Sequence, residues 1–285
     1  MTRIAIVTDS AVNVPAELQR EYDVHVVPLK VSFGDRSYMD GADLTPTQFY
    51  EMLRAAPELP TTSQPSSGDF VEVYSKLSGE VDGIVSIHLS ELLSGTLKSA
   101  IAAQQQVTHV PIEIIDSRSV SVGLGFVVLA AARAAQQGKS LAEVVSVARQ
   151  VVPKLNVMFV VDTLKYLHMG GRIGGASAML GTALKIKPLL HIDEGQVNPL
   201  ERVRSKCRAT ERMLEIMAQR LAEQDGHDGV LRAAVVHADR SDEAVELKEQ
   251  VQSRFEPDEL YLAELTPAIG THVGPDTLGV GWYVE

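Results

Sequence analysis

A chain of 285 residues is long enough for two domains of ordinary size, each with a buried core. Its 26 Lys and Arg against 37 Asp and Glu leave a formal charge of -11, which speaks against a nucleic-acid binder because phosphate-backbone affinity rests on clustered cations. The one cysteine, Cys207, makes no internal disulfide and gives no zinc-ligand spacing, and the first residues hold no apolar run of signal-peptide length, so the expectation is a cytoplasmic protein.

In the first half, short runs rich in Val and Ile recur at 3–9 (RIAIVTD), 25–33 (HVVPLKVSF), 82–90 (DGIVSIHLS) and 112–117 (IEIIDS). Segments of helical period lie between them, at 15–22, 45–56, 68–78 and 94–107. That alternation predicts a parallel sheet covered by helices on both faces. Three of the runs end in polar groups, TDS, SIHLS and IDS, at the carboxyl edge where open α/β sheets bind ligands. Helical stretches follow at 119–138 and 140–152, stopped by Pro153. The longest apolar stretch, 122–135, is too short for a membrane span and is broken by Arg133.

Beyond residue 155 the pattern changes. A strand at 157–162 leads into a Gly-rich segment, and strands at 189–192 and 196–204 flank Asp193-Glu194-Gly195, a hairpin signal. Surface helices are predicted at 208–224 and 241–255, and strands at 231–238, 259–265, 268–274 and 279–285. The expected architecture is α/β: a parallel-sheet α/β/α domain over 1–154 and a C-terminal α/β domain with a mixed sheet over 155–285.

Four segments carry candidate chemistry. Residues 90–100, SELLSGTLKSA, crowd Ser90, Ser94 and Thr96 around Gly95 where a strand gives way to a helix. Such hydroxyls either cap the helix or join its free N–H groups in holding an anion. Residues 60–70, PTTSQPSSGDF, hold two prolines and five hydroxyls and read as a loop entering a helix near Ser67. In residues 166–188, Gly170-Gly171 and Gly174-Gly175 bracket Arg172 ahead of a predicted helix, ASAMLGTALKI; close backbone approach to a ligand and a pair of helix caps explain these glycines equally well. His272 sits between two glycines in GTHVGPDTLGVGW (270–282), where a lone histidine is more often structural than catalytic.

Spacing tests narrow the chemistry. There is no GxxxxGK[ST], and neither GLGFVV nor GGRIGG makes a GxGxxG between strand and helix, which speaks against an ATPase or dehydrogenase acting alone. No HExxH or paired Cys/His group is present, so a zinc enzyme is disfavoured. A serine esterase or lipid hydrolase using Ser94 and His272, with Asp9 or Asp116 as third member, is the enzymatic alternative, although Ser94 lies in LLSGT and not in a GxSxG elbow.

Eight segments in order, IVTDS (6–10), DGADLTPTQFY (40–50), TSQPS (62–66), SELLSGTLKSA (90–100), DSRSVSVGLG (116–125), LKYLHMGGRIGGASAMLGTALKIKPLL (164–190), ERVRSKCRA (201–209) and GTHVGPDTLGVGW (270–282), resemble the DegV family of bacterial fatty-acid-binding proteins. The resemblance covers essentially the whole chain. It implies a carrier, not a free-standing enzyme, that needs no cofactor and holds one long-chain fatty acid such as palmitate between two domains. A separate ATP-binding fatty acid kinase subunit would then convert the presented carboxyl group to an acyl-phosphate for phospholipid synthesis. By motif position the resemblance implies Thr62 and Ser94 as the hydroxyls that bind the carboxyl group and His272 as their neighbour. Arg172 and Arg204 match residues linked to kinase docking or phosphoryl transfer. Asp276 departs from the family pattern, which has a small residue after Gly-Pro, and would add negative charge near His272 if that loop lines the site. A transient membrane-surface contact would use a basic patch, for which Lys185, Lys187, Arg202, Arg204, Lys206 and Arg208 are the candidates; a solvated face explains them equally.

Overall fold

The computed structural model describes residues 2–181, 186–223 and 229–285. The chain opens with β1 (Ile4–Asp9), α1 (Ala16–Glu21) and β2 (Val24–Val27), then β3 (Lys30–Phe33), β4 (Arg36–Met39), α2 (Pro46–Ala55), β5 (Thr61–Ser63) and α3 (Ser67–Leu77). It continues through β6 (Gly83–His88), α4 (Thr96–Gln104), β7 (Ile112–Asp116), α5 (Val122–Gln136) and α6 (Leu141–Val151). As expected, β2-β1-β6-β7 form a parallel sheet in that order. β1 and β6 are buried at every position, which is why they read as continuous apolar runs and not as alternations. Capping boxes at Thr45 and Ser66 start α2 and α3.

Two readings are corrected here. Residues 25–33 are not one strand, because Pro28 cannot donate to a ladder. The chain leaves the parallel sheet after Val27 and begins a small antiparallel sheet, β4-β3-β5, at Lys30. The 60–70 loop contains a strand of its own: β5 is a three-residue edge strand fitted between Pro60 and Pro65, with Thr62 opposite Val31.

The second half runs β8 (Asn156–Val160), α7 (Lys165–Met169), a 3-10 turn at Gly174–Met179, β9 (Lys187–Asp193), β10 (Gln196–Val203), α8 (Lys206–Glu223), β11 (Leu231–His237), α9 (Ser241–Phe255), β12 (Glu259–Glu264), α10 (Pro267–Val273) and β13 (Leu278–Val284). The sheet is mixed, in the order β10-β9-β8-β13-β11-β12, and antiparallel except for the β11–β12 pair. The β9–β10 hairpin turns at Glu194-Gly195, both at positive φ, as the sequence signal required.

The expected strand at 268–274 is instead α10. Thr266 supplies an extended N-cap backbone, Pro267 fills the first helical turn, and Gly274 at φ 77 ends the helix. The helix expected from Ala176 is a 3-10 turn as far as Met179, and the part over 182–185 lies outside the described residues. One continuous core surrounds α5, with Ile6 and Phe126 packed into the same cluster as Phe159, Ile269 and Tyr283. Among the described residues no helix is long and apolar enough to cross a membrane.

Candidate functional site

A mostly apolar cavity of about 350 Å3 lies between the carboxyl edge of the parallel sheet and one face of the mixed sheet. That size is within the range of small-molecule sites. Aliphatic and aromatic side chains such as Phe159, Leu167, Val236 and Ile269 make its walls, and Thr62, Gln64, Ser94, Arg172 and His272 supply polar groups.

Each of these five lines the same cavity and is held by its own contacts. Thr62 comes from β5 and His272 from α10, and their Oγ1 and Nε2 atoms are 2.8 Å apart. Ser94 follows β6 through a tight turn in which the Leu93 and Ser94 N–H groups donate to the Ser90 carbonyl at 3.0 and 3.1 Å. Arg172 reaches across from the loop after α7: Nε donates to the Leu93 carbonyl at 3.0 Å and Nη1 to the Gly170 carbonyl at 2.7 Å. Gln64 donates to Ser99 Oγ at 2.8 Å.

Two glycines in this cluster are explained by space. A Cβ on Gly95 would sit 2.0 Å from Gln64 Oε1, and one on Gly170 would sit 2.3 Å from His272 Nδ1. Neither residue has positive φ, so the demand is for room and not for a special backbone conformation.

The electrostatics favour neutral donors beside one fixed cation. Burial, reinforced by the Arg172 guanidinium, pushes the His272 pKa down to about 4, so the imidazole is neutral at pH 7. Its Nδ1 is buried without a hydrogen-bond partner among the described residues. If the ring proton sits on Nε2 and is donated to Thr62, the threonine keeps its own O–H to give to a carboxylate. Ser94 Oγ lies 2.9 Å from Thr96 Oγ1 and accepts the Thr96 N–H at 3.3 Å. α4 itself starts at Gly95 with no side-chain cap, and if Thr96 supplies the proton between the two hydroxyls, the Ser94 O–H is left to donate outward.

The sequence candidates therefore divide. Thr62, Ser94, His272 and Arg172 meet at the cavity, whereas Arg204 is exposed just past β10 and is not part of the lining. Asp276 pairs with Arg240 and lies 3.9 Å from Lys206 Nζ, so its charge is met by cations. Of the basic run, Lys187 and Lys206 pair with Asp162, Arg208 pairs with Glu211 and Glu215, and Lys185 lies outside the described residues. Ser94 and His272 are not hydrogen-bonded to each other, and among the described residues no carboxylate orients His272 Nδ1, so the dyad that a hydrolase needs is not formed there.

Sequence reading missed the buried ties beneath the site. Asp9 Oδ2 accepts the Leu89 N–H at 3.0 Å and lies 3.0 Å from His88 Nδ1, while Oδ1 accepts the Ala11 N–H at 3.0 Å. His88 Nε2 is 2.7 Å from Ser86 Oγ, which receives the Tyr74 hydroxyl proton. The Ser86–His88–Asp9 order is that of a catalytic triad, but all three residues are fully buried and no substrate reaches them. What the chain of bonds does is fix Leu89, where the Ser94 turn begins. Next to it, Asp40 accepts from Ser10 Oγ at 2.6 Å and from the Ala268 N–H at 3.2 Å, anchoring the first turn of the helix that carries His272. Burial raises the Asp40 pKa to about 6. The polar TDS ending of β1 and the Asp40-Gly41 pair were the available signals.

The model of the family described as "Uncharacterised protein, DegV family" matches residues 3–285. A DegV domain-containing protein of Halalkalibacterium halodurans is 37% identical over 286 residues, covering 100% of both chains. Among solved structures, a DegV family protein from Thermus thermophilus, described by its fatty acid binding, is similar at TM-score 0.93 and 35% identity with 100% of both chains covered. DegV from Bacillus subtilis, described as a fatty acid binding protein, is similar at TM-score 0.91 and 34% identity with the same coverage. The chain, matched along almost its full length, belongs to the DegV family.

Proposed function

We propose that this protein is a lipid carrier: it binds one long-chain fatty acid, palmitate-like, and presents its carboxyl group to a separate ATP-dependent kinase subunit for acyl-phosphate formation. Residues 1–154 and 155–285 are the two domains that close over the acyl chain. The observation that carries the reading is the pairing of Thr62 with a neutral His272 at the polar end of an otherwise greasy cavity. The fatty acid binding described for the Thermus and Bacillus relatives supports it.

The energetics suit a carrier. Burying roughly 14 methylenes at about 0.8 kcal/mol each contributes a gross term near 11 kcal/mol, from which association and ordering costs are subtracted. Affinity thus comes from the tail, while Thr62 and Ser94 keep the carboxyl group from being left unpaired. On this reading Arg204, exposed and outside the cavity, contacts the kinase subunit or the phosphoryl group in transfer, and Arg172 links the cavity to that event. A transient membrane-surface contact would let the ligand load.

Solvent extraction of the purified protein followed by mass spectrometry tests the proposal. A C16 or C18 acid close to one per chain is expected, and acyl-phosphate should form on adding ATP and the kinase subunit. A protein that releases no acid and binds none in a titration overturns the reading. Esterase turnover that disappears in Ser94→Ala would replace it with the hydrolase.

A further inference from the structure

We propose that Val157 and Ile192 form the end wall of the acyl cavity and set the longest chain it accepts; the inference rests on the fatty-acid reading above. The direction of the cavity follows from strand register. Val160, at the end of β8, pairs with Leu278, which follows the Gly274–Thr277 segment leading out of the His272 helix. The His272–Thr62 pair of the polar end therefore lies toward the Val160 side. Val157 is three residues back along β8, about 10 Å away, and shares its face with Phe159. Both line the cavity.

The β8–β9 ladder pairs Met158 with His191, so the next antiparallel position sets Val157 beside Ile192 on the cavity face. Behind that pair is a second hollow of about 450 Å3, lined by Asp116, Arg118, Arg149, Asp193 and Glu194. Among the described residues, Val157 and Ile192 alone face both spaces, so the partition is one side chain thick. Val157 already packs against α5 in the space left by the missing side chain of Gly123, its Cγ2 2.9 Å from where a Cβ there would be.

The chemistry changes abruptly across this wall. On one side an alkyl tail loses water; on the other it would meet the Arg118–Glu194 ion pair and exposed carboxylates. Methylenes beyond the wall gain no burial, and with the wall in place they have nowhere to go. Each methylene that fits adds about fourfold to affinity, and the gain stops where the chain meets Val157 and Ile192.

The test is a titration of saturated acids from C12 to C22 against wild type, Val157→Ala, Ile192→Ala and Ile192→Phe, with a thermal melt of each. Wild type should show an optimum followed by a steep fall. In the alanine variants the steep fall should vanish, acids two to four carbons past the optimum binding within a few-fold of the best. Ile192→Phe should move the optimum to a shorter acid. Four superimposable profiles with an intact wild-type optimum overturn the wall and leave the fatty-acid reading standing. Wild type that binds none of the acids overturns both. Should Val157→Ala fail to fold, the Ile192 variants decide, since that position is only partly buried.

Discussion

Replacing Thr62 with valine keeps the shape of the side chain and deletes one hydroxyl, so it isolates the head-group chemistry. In the folded protein that hydroxyl has His272 Nε2 at 2.8 Å and faces the cavity. A hydrogen bond to a charged group is worth about 1.5–3 kcal/mol, so the dissociation constant for a fatty acid at pH 7 should rise roughly ten- to hundredfold in Thr62→Val. Thr62→Ser, which restores the hydroxyl, should recover most of the loss. The methyl ester of the same acid carries no charge and should show a smaller difference between wild type and Thr62→Val. Titration with a fluorescent fatty acid, displaced by the unlabelled acid or ester, reads all three proteins. If Thr62→Val binds the acid within twofold of wild type, the hydroxyl does not hold the carboxyl group and the assignment of the polar end falls.

The other predictions concern the supports of that end. His272 has a folded pKa of about 4 against 6.5 unfolded, so its contribution is full above pH 6.5 and is lost as pH falls toward 4, roughly 3 kcal/mol in all. Asp40 has the opposite sign: with a folded pKa of about 6 against 3.8, its contribution is full below 3.8 and is lost as pH rises through 6. In urea melts from pH 4 to 7, His272→Asn should therefore soften acid destabilisation and Asp40→Asn should steepen it; curves parallel to wild type would refute both. Gly170→Ala puts a methyl group 2.3 Å from His272 Nδ1 and should turn the ring off Thr62, weakening acid binding about tenfold in the same titration while the melting temperature changes little. Arg172→Ala and Arg204→Ala should separate: the first removes the tie to the Leu93 carbonyl and weakens acid binding, the second leaves binding and stability within error and lowers acyl-phosphate yield with the kinase subunit.

The parallel sheet was legible because fully buried strands announce themselves as Val- and Ile-rich runs, and the helices between them because their period is strong. β5 and α10 were not, and both matter to the site. A three-residue edge strand between two prolines has no periodicity to detect, and AIGTHVG is apolar enough to pass for a strand unless Thr266 and Pro267 are weighed as a helix start. Thr62, Ser94 and His272 were implied by motif position in the DegV resemblance, whereas the residues alone showed only hydroxyl-rich loops and a histidine among glycines. Their meeting was not legible, since it depends on β5 pairing with β3 and on α10 docking across the cavity. The resemblance implies the same role for Arg172 and Arg204, and only the fold separates a side chain spanning two loops from one facing solvent.

A polar end assembled from β5, the turn after β6 and α10 has no single element to hold it rigid, and a hydroxyl displaced by an ångström no longer meets a carboxylate. The ties beneath it answer that need. Asp9 and Ser10, adjacent at the end of β1, point into two separate networks: Asp9 holds the backbone of Leu89 on the way to Ser94, and Ser10 holds Asp40, which holds the backbone of Ala268 on the way to His272. One strand end thus sets the position of Ser94 and of His272, the neighbour of Thr62. Asp40 makes this connection as a buried carboxylate with a raised pKa, a costly choice that an apolar residue would avoid, and the cost is intelligible if its two hydrogen bonds fix where α10 begins. On the carrier reading, the same logic explains why the hydroxyls and the imidazole at the polar end are neutral. On that reading, precision comes from hydrogen bonds sealed beneath the cavity, which would leave the hydroxyls and the imidazole free to exchange partners as a carboxyl group is taken up and given away.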